Sequence, residues 1–423
     1  MTLKKYQHYK NTNIQWLGQI PQHWEVKRIK DVTELRNRKA LKKHQKIGLE
    51  NIQSFTGKYI PTETEFEGEG ILFKAGDILF GKLRPYLAKV YLSDFEGSAV
   101  GDFFVIGINQ LKINGRFINY IFLNQAFLAL VNSSTFGAKM PRVNWDFFSN
   151  IISILPPLTE QTAIANYLDQ KTAQIDKKVT LLTQKIEKYK EFKKSLINET
   201  VCRGLDKSVS LKPSNIAWIG DIPEHWEIVR MKDIAQSINS GATPLTAIEG
   251  YYDDGIMNWV NTGDLNDGLV TSCQKQISEL ALKNYPNLKI QKKGTLIIAL
   301  YGATIGKLGL LDIEATTNQA CCCIYFKKGY NNRYIFYWLL ANKNEIISQS
   351  IGGTQPNISQ SIIQRLEIPL SKKYSEQTAI AQYLDEKTNK IDQITANLSQ
   401  QIATLKELRK TLINEVVTGK VKV

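Results

Sequence analysis

The chain has 423 residues, 43% of them hydrophobic and 22% charged, enough to bury more than one core and ordinary for a globular protein. No run of about 18 apolar residues is present to span a membrane, and the start, Met1 to His8, lacks the apolar centre of an export signal. Lysine and arginine outnumber aspartate and glutamate by 54 to 40, a formal charge of +14 that favours polyanionic partners, nucleic acid foremost.

In chain order, the first recognisable piece is Thr12-Asn-Ile-Gln-Trp-Leu-Gly-Gln-Ile-Pro-Gln-His-Trp-Glu25. Its two tryptophans and His23 read as a packed aromatic anchor with a hydrogen-bonded histidine, because the motif supplies no Ser, Cys or carboxylate in a spacing that would activate it. Residues 26–155 then read as short strands and turns. Gly76-Asp77 opens a turn, Ile78-Leu-Phe80 is a buried strand, and Lys82-Leu-Arg-Pro-Tyr86 is a basic loop held by proline. Residues 101–108 form another strand, 116–131 a helix, and 137–144 a polar, basic loop. Leu155-Pro-Pro157 stops this segment and launches a long helix at Thr159, with Glu160 well placed in its first turn.

That helix opens with Glu160-Gln-Thr-Ala-Ile-Ala-Asn-Tyr-Leu-Asp-Gln-Lys-Thr172. Leu168, Thr172, Ile175, Val179, Leu182, Ile186, Tyr189, Lys193 and Leu196 then step by four and three residues, the spacing of one seam that packs on another helix. About 40 residues at ~1.5 Å each make a rod of ~60 Å. Gly204 suits a left-handed cap at its end, and 205–213 is a short polar link.

The chain then repeats itself. The anchor returns as Ser214 to Glu227, identical at nine of fourteen positions, and the helix opening returns as Glu376 to Thr388, differing only at Asn166/Gln382 and Gln170/Glu386. Adding 216 to each seam position gives Leu384, Thr388, Ile391, Thr395, Leu398, Ile402, Leu405, Arg409 and Leu412. Between these repeats lie residues 228–369, with Lys292 to Lys307 as counterpart of the Gly-Asp piece at Lys74 to Tyr91 and 352–359 as counterpart of the basic loop. Frame and anchors are near duplicates, whereas the intervening segments share a skeleton and differ in surface chemistry. The expected fold is α/β (α+β), with a pseudo-twofold internal repeat in which the two long helices pair as an antiparallel coiled coil.

No catalytic constellation is present. Gly302-Ala-Thr-Ile-Gly-Lys307 has three residues between its glycines where a phosphate-binding loop needs four, and Leu308 stands where Ser or Thr would hold magnesium. No dinucleotide or adenosylmethionine fingerprint follows a strand, and Leu155-Pro-Pro-Leu158 is not the tetrapeptide of an amino-methylating enzyme. Glu191 and Lys193 lie on an amphipathic helix, a solvated face rather than half of a nuclease site. Cys202, Cys273 and the run Cys321-Cys322-Cys323 have no framework spacing, which fits a reducing cytoplasm. The run reads as small buried side chains, since neighbours on a strand face opposite ways and cannot surround one metal.

What remains suits base reading: Arg and Lys grip guanine and Asn and Gln grip adenine in the major groove, while Lys, Arg, Thr and Tyr meet phosphates. The candidates are Lys82, Arg84, Tyr86, Lys89, Lys139 and Arg142 in the first variable segment. In the second they are Tyr301, Thr304, Lys307, Asn318, Gln319, Thr354, Gln355 and Asn357.

Both Trp-x-Gly-x-Ile-Pro-x-His-Trp anchors, both Glu-Gln-x-x-Ile-Ala-x-Tyr-Leu-Asp helices, and the Gly-Asp-Ile-Leu-Phe and Tyr-Gly-Ala-Thr-Ile-Gly-Lys pieces resemble the specificity subunit of type I restriction–modification systems over nearly the whole chain. Gly294-Thr295 departs from the usual Gly-Asp pair. The resemblance implies two mixed α/β target-recognition domains, 1–157 (anchor 12–25) and 214–370 (anchor 214–227). They are joined by the conserved long helices 158–204 and 371–423, with 205–213 as linker. It implies a non-catalytic, cytoplasmic reader of a split target in double-stranded DNA. Two methyltransferase subunits dock on such a reader, restriction/translocase subunits complete the complex, and those partners use S-adenosylmethionine, ATP and Mg2+. No metal or cofactor belongs to this chain itself. The competing readings are a single-chain methyltransferase or nuclease, and a coiled-coil scaffold without a DNA role.

Overall fold

A computed structural model of the chain describes residues 4–40, 44–64, 66–248, 250–350 and 356–423. It divides into two compact units, one of residues 1–184 and 398–423, the other of residues 185–397. Each unit therefore owns one head and part of each long helix, which span Leu158–Arg203 and Tyr374–Val417.

Within the first unit, a four-stranded antiparallel sheet runs in the order Thr33–Leu35, Phe103–Ile108, Ile78–Gly81, Val90–Leu92. The central strands are apolar on both faces and fully covered. Phe80 and Phe104 face Phe117, Phe122, Phe127 and Phe148 of the adjacent helices in one core, while Leu79, Phe103 and Val105 face a smaller one. The apolar stretch 116–131, expected as one helix, is two: Gly115–Phe122 and Gln125–Ser133. Asn124 makes the break. Its side-chain oxygen accepts from the amides of Ala126 and Phe127, capping the second helix, and its amide donates to Asn414 at 3.0 Å.

The second unit repeats the plan with additions. Its principal sheet has five strands, Ala235–Ser240, Cys321–Phe326, Leu296–Ala299, Leu308–Leu311 and Gly268–Val270. The cysteine run lies in its second strand, as expected for structural thiols. Cys322 faces the core that holds Trp226 and Trp338, while Cys321 and Cys323 face Val260 and Ile297. Burial pushes all three thiols up, Cys323 to about 12, which disfavours the thiolate form at neutral pH. The Gly294-Thr295 departure has a visible consequence. In the first unit Asp77 accepts from Arg36 Nε at 2.7 Å and from the Lys74 amide at 2.8 Å. At the matching turn, Thr295 Oγ1 is buried with no hydrogen-bond partner.

In both units the long helices run in opposite directions. In the first, the head of Leu158–Arg203 and the tail of Tyr374–Val417 come together: Ile164 and Leu168 share a core with Ile413, Val416 and Val417. Further along the same pair, Arg409 meets Asp176 at 3.1 Å, both nearly buried. In the second unit Ile197 and Val201 share a core with Ile380 and Leu384, and Lys193 meets Asp392 at 2.7 Å. The four-three seam is the covered stripe throughout: Leu168, Thr172, Leu384, Thr388, Ile391, Leu398 and Arg409 are buried and the remaining seam positions half-buried. The antiparallel expectation is met.

Candidate nucleic-acid interface

The repeated motifs are the clamps that fix each head on the helix ends. In the first unit Glu160 accepts from the buried Trp24 indole at 3.0 Å and from Tyr6 at 2.9 Å, and pairs with His23 at 2.6 Å. Burial pushes this carboxyl up, but the bonds from Trp24, His23 and Tyr6 prevail and hold it below the usual glutamate range. Gln161 accepts from the Asn114 amide at 2.7 Å, and Asp169 takes Arg116 and Tyr120, both at 2.7 Å. The second unit repeats all of these contacts but that of Tyr6: Glu376 with Trp226 and His225, Gln377 with Asn331, Asp385 with Arg333 and Tyr337. Gly204 and Gly419, both left-handed, end the long helices against Trp226 and Trp24 respectively. His23 and His225 are hydrogen-bonded members of packed aromatic anchors, as expected, and the carboxylate that each meets comes from a long helix more than 130 residues away, which the local spacing could not show.

With the heads fixed in this way, most of the described candidate reading residues lie on adjoining loops in each. In the first head, 82–84 runs beside 141–143. The Lys82 carbonyl accepts from Val143, the Arg84 amide donates to Pro141 at 2.8 Å, and Leu83 bridges Arg142. Arg84, Tyr86 and Lys139 are exposed there. Arg84 adopts a left-handed backbone (φ 50°) and donates through its guanidinium to the Lys139 carbonyl. Lys82 is half-buried, its amine 5.9 Å from the Phe104 ring. The other two point elsewhere. Lys89 is turned inward onto the Leu49 carbonyl at 2.7 Å, with burial lowering its pKa. Arg142 spends its fork on Asp102, at 2.9 and 3.0 Å. Sequence spacing could not show either, because both partners lie 40 residues away.

In the second head Tyr301 bridges Asn357 in the same fashion. Leu300 accepts from Ile358 and donates to Ala320, which brings the 318–319 loop alongside. Gly302 to Lys307 is the turn of a hairpin between Leu296–Ala299 and Leu308–Leu311, so the strand-to-helix setting of a phosphate-binding loop is missing, as its spacing indicated. Thr304 and Lys307 sit half-buried in that turn. Gln319 accepts from Thr243, a residue the sequence reading passed over, and Asn318 keeps a buried side-chain oxygen without a partner. Thr354 and Gln355 lie outside the described residues. The loop pairing is common to both heads, but the first offers cations and the second amides, hydroxyls and a phenol. Among the described residues no group of three or more His, Cys, Asp or Glu side chains could hold a metal ion, and no helix is long and apolar enough to cross a membrane.

A family model described as type I restriction modification DNA specificity domain matches residues 21–188 and again 223–404. The chain belongs to that family. Among its relatives, the type I restriction enzyme MjaVIII specificity subunit of Methanocaldococcus jannaschii is 26% identical over 442 aligned positions, covering 99% of this chain and 98% of the relative. A solved chain from work on complex assembly and conformational transition of the type I R-M system superposes with a TM-score of 0.75 at 18% identity, covering 94% of this chain and 98% of that one. The HsdS subunit of Thermoanaerobacter tengcongensis gives 0.55 at 18% identity, over 95% and 98%. At these identities the superpositions speak for the fold. The family match carries the role, that of a DNA-specificity component with two recognition domains and no catalytic function of its own.

Proposed function

We propose that this member of the family reads a bipartite site in double-stranded DNA, one half with each head, and that the paired long helices act as the ruler between the halves. The observation that carries this reading is a frame written twice around two unlike sets of loops: matching Trp–His–Glu clamps on Glu160 and Glu376 hold a mainly cationic reader in one case and a mainly amide- and hydroxyl-bearing one in the other. The exposed members of these loops, Arg84, Tyr86 and Lys139 in the first head and Gln319 and Asn357 in the second, are the foremost contacts. Half-buried Lys82, Tyr301, Thr304, Lys307 and Asn318 join them, as do Thr354 and Gln355 from the sequence pattern. Lys89 and Arg142 support the loops rather than touch DNA. Two methyltransferase subunits dock on the chain and restriction/translocase subunits complete the assembly. S-adenosylmethionine, ATP and Mg2+ serve those partners, and the complex works in the cytoplasm.

Single-molecule methylome sequencing of a host carrying the intact system tests this directly. The expected result is one split motif with a fixed gap, absent when the gene is deleted. A contiguous motif would overturn the bipartite reading. Methyl transfer by the purified chain alone would return the role to a self-contained enzyme. Binding to duplex that ignores ionic strength would favour a scaffold, because a reader that neutralises phosphates loses affinity steeply as salt rises.

A further inference from the structure

The first head carries a small finger whose chemistry is unusual for a cationic surface. Phe136 and Arg142 exchange both backbone hydrogen bonds at 3.0 Å, closing a two-stranded turn over 137–141. Gly137 takes a left-handed φ of 94°, and the chain folds back tightly enough that a Cβ there would lie 3.2 Å from the Met140 carbonyl. The base of the finger is rigid. Arg142 is locked in its two-pronged pair with Asp102, and Arg84 bonds to the carbonyls of Pro141 and Lys139. At and beside its tip, however, stand apolar side chains in water: Phe136 is 59% exposed and Met140 47%. Lys139 precedes Met140 in the turn and Arg84 bonds to the Lys139 carbonyl, while Asp102 at the base of the finger is already paired with Arg142.

Exposed apolar groups on a braced turn mark a contact surface, and the cations around them select a polyanion. The major groove is where a polyanion also presents apolar groups. It admits a two-stranded ribbon, and each thymine offers its C5-methyl there. Resting on the DNA-reading role above, we propose that the 136–142 finger enters the major groove of the half-site read by the first head and recognises thymine through its methyl group. Met140 and Phe136 supply the apolar contact, and Lys139 and Arg84 hold the flanking phosphates.

The test uses the chain assembled with its methyltransferase subunits and a duplex carrying the motif found by methylome sequencing. Each thymine of the first head's half-site is replaced in turn by deoxyuridine, which lacks only the methyl. At one or two positions affinity should fall about fourfold, the equivalent of the ~0.8 kcal/mol of one buried methyl-sized group. The complex bearing Met140→Ala and Phe136→Ala should be indifferent to the same replacements, while Met140→Leu keeps the sensitivity. Both positions are exposed, so the variants fold. Deoxyuridine that is silent everywhere, or sensitivity that survives the double alanine variant, overturns the inference while leaving the reader intact, provided the motif duplex still outcompetes a scrambled one. Failure to distinguish motif from scrambled duplex would instead defeat the DNA-reading role. If the double variant loses its methyltransferase subunits rather than its thymine preference, the finger is a protein contact and the proposal falls.

Discussion

Replacing Glu160 by alanine removes the group on which the first anchor converges. Three donors lose their acceptor: Trp24 Nε1 at 3.0 Å, Tyr6 at 2.9 Å and His23 at 2.6 Å. Trp24 is fully buried, so its indole N–H is left unpaired, which costs about 1–3 kcal/mol. His23 has a half-exposed ring and can turn to water, so the remaining loss is smaller, on the order of 1 kcal/mol. The sum of about 3 kcal/mol corresponds to a fall of about 6–12 °C in the unfolding midpoint for a unit of about 200 residues. Hydrogen exchange read by mass spectrometry along a thermal series assigns the loss to its unit. Peptides of residues 4–40 and 400–423 should lose protection first, with those of residues 205–240 unchanged, and Glu376→Ala should give the mirror image. A shift below about 2 °C, or protection lost evenly in both units, would refute the claim that these glutamates are the clamps.

The orphaned hydroxyl at Thr295 predicts the opposite sign. Thr295→Val keeps the shape and removes the unpaired group, so the second unit should melt about 2–4 °C higher in calorimetry; a lower midpoint would mean that the hydroxyl has a partner. Acid should weaken both anchors. Glu160 and Glu376 lie below the usual carboxyl range when folded. Their contribution is therefore complete above about pH 4.5 and is lost as pH falls through the folded values. Titrated unfolding should show this acid loss in the native chain and a smaller one in Glu160→Gln. Inserting seven residues into each long helix keeps the seam in phase and lengthens the rod by ~10 Å, about three base pairs. The methylated motif should keep both halves and widen its gap by that amount.

The frame was legible in the sequence because its signals are local. The four-three spacing from Leu168 to Leu196 is a helix seam whatever surrounds it, and duplication doubled the reading. The anchors were legible as aromatic clusters, although the partner of each tryptophan was not: Glu160 lies 136 residues from Trp24, and only the fold brings them together. The break at Leu123–Asn124 was hidden by the apolar residues on both sides of it, though Asn124 ahead of Gln-Ala-Phe is a capping signal in its own right. The site was less legible still. The sequence singled out the 82–86 and 137–144 loops, but that they lie side by side, and which charges on them are free, depends on contacts distant in sequence. Arg142 and Lys89 look like Arg84 and Lys139 until Asp102 and the Leu49 carbonyl are in place. Phe136 and Met140 escaped notice for the converse reason, since residues of their type belong in a core unless the fold leaves them outside.

The most direct measurement of the central claim exchanges residues 26–155 for the corresponding segment of another specificity subunit and sequences the methylome of the resulting host. If the two heads read independently on a common frame, one half of the motif changes while the other half and the gap stay as they were. A change in both halves, or in the gap alone, would contradict the account.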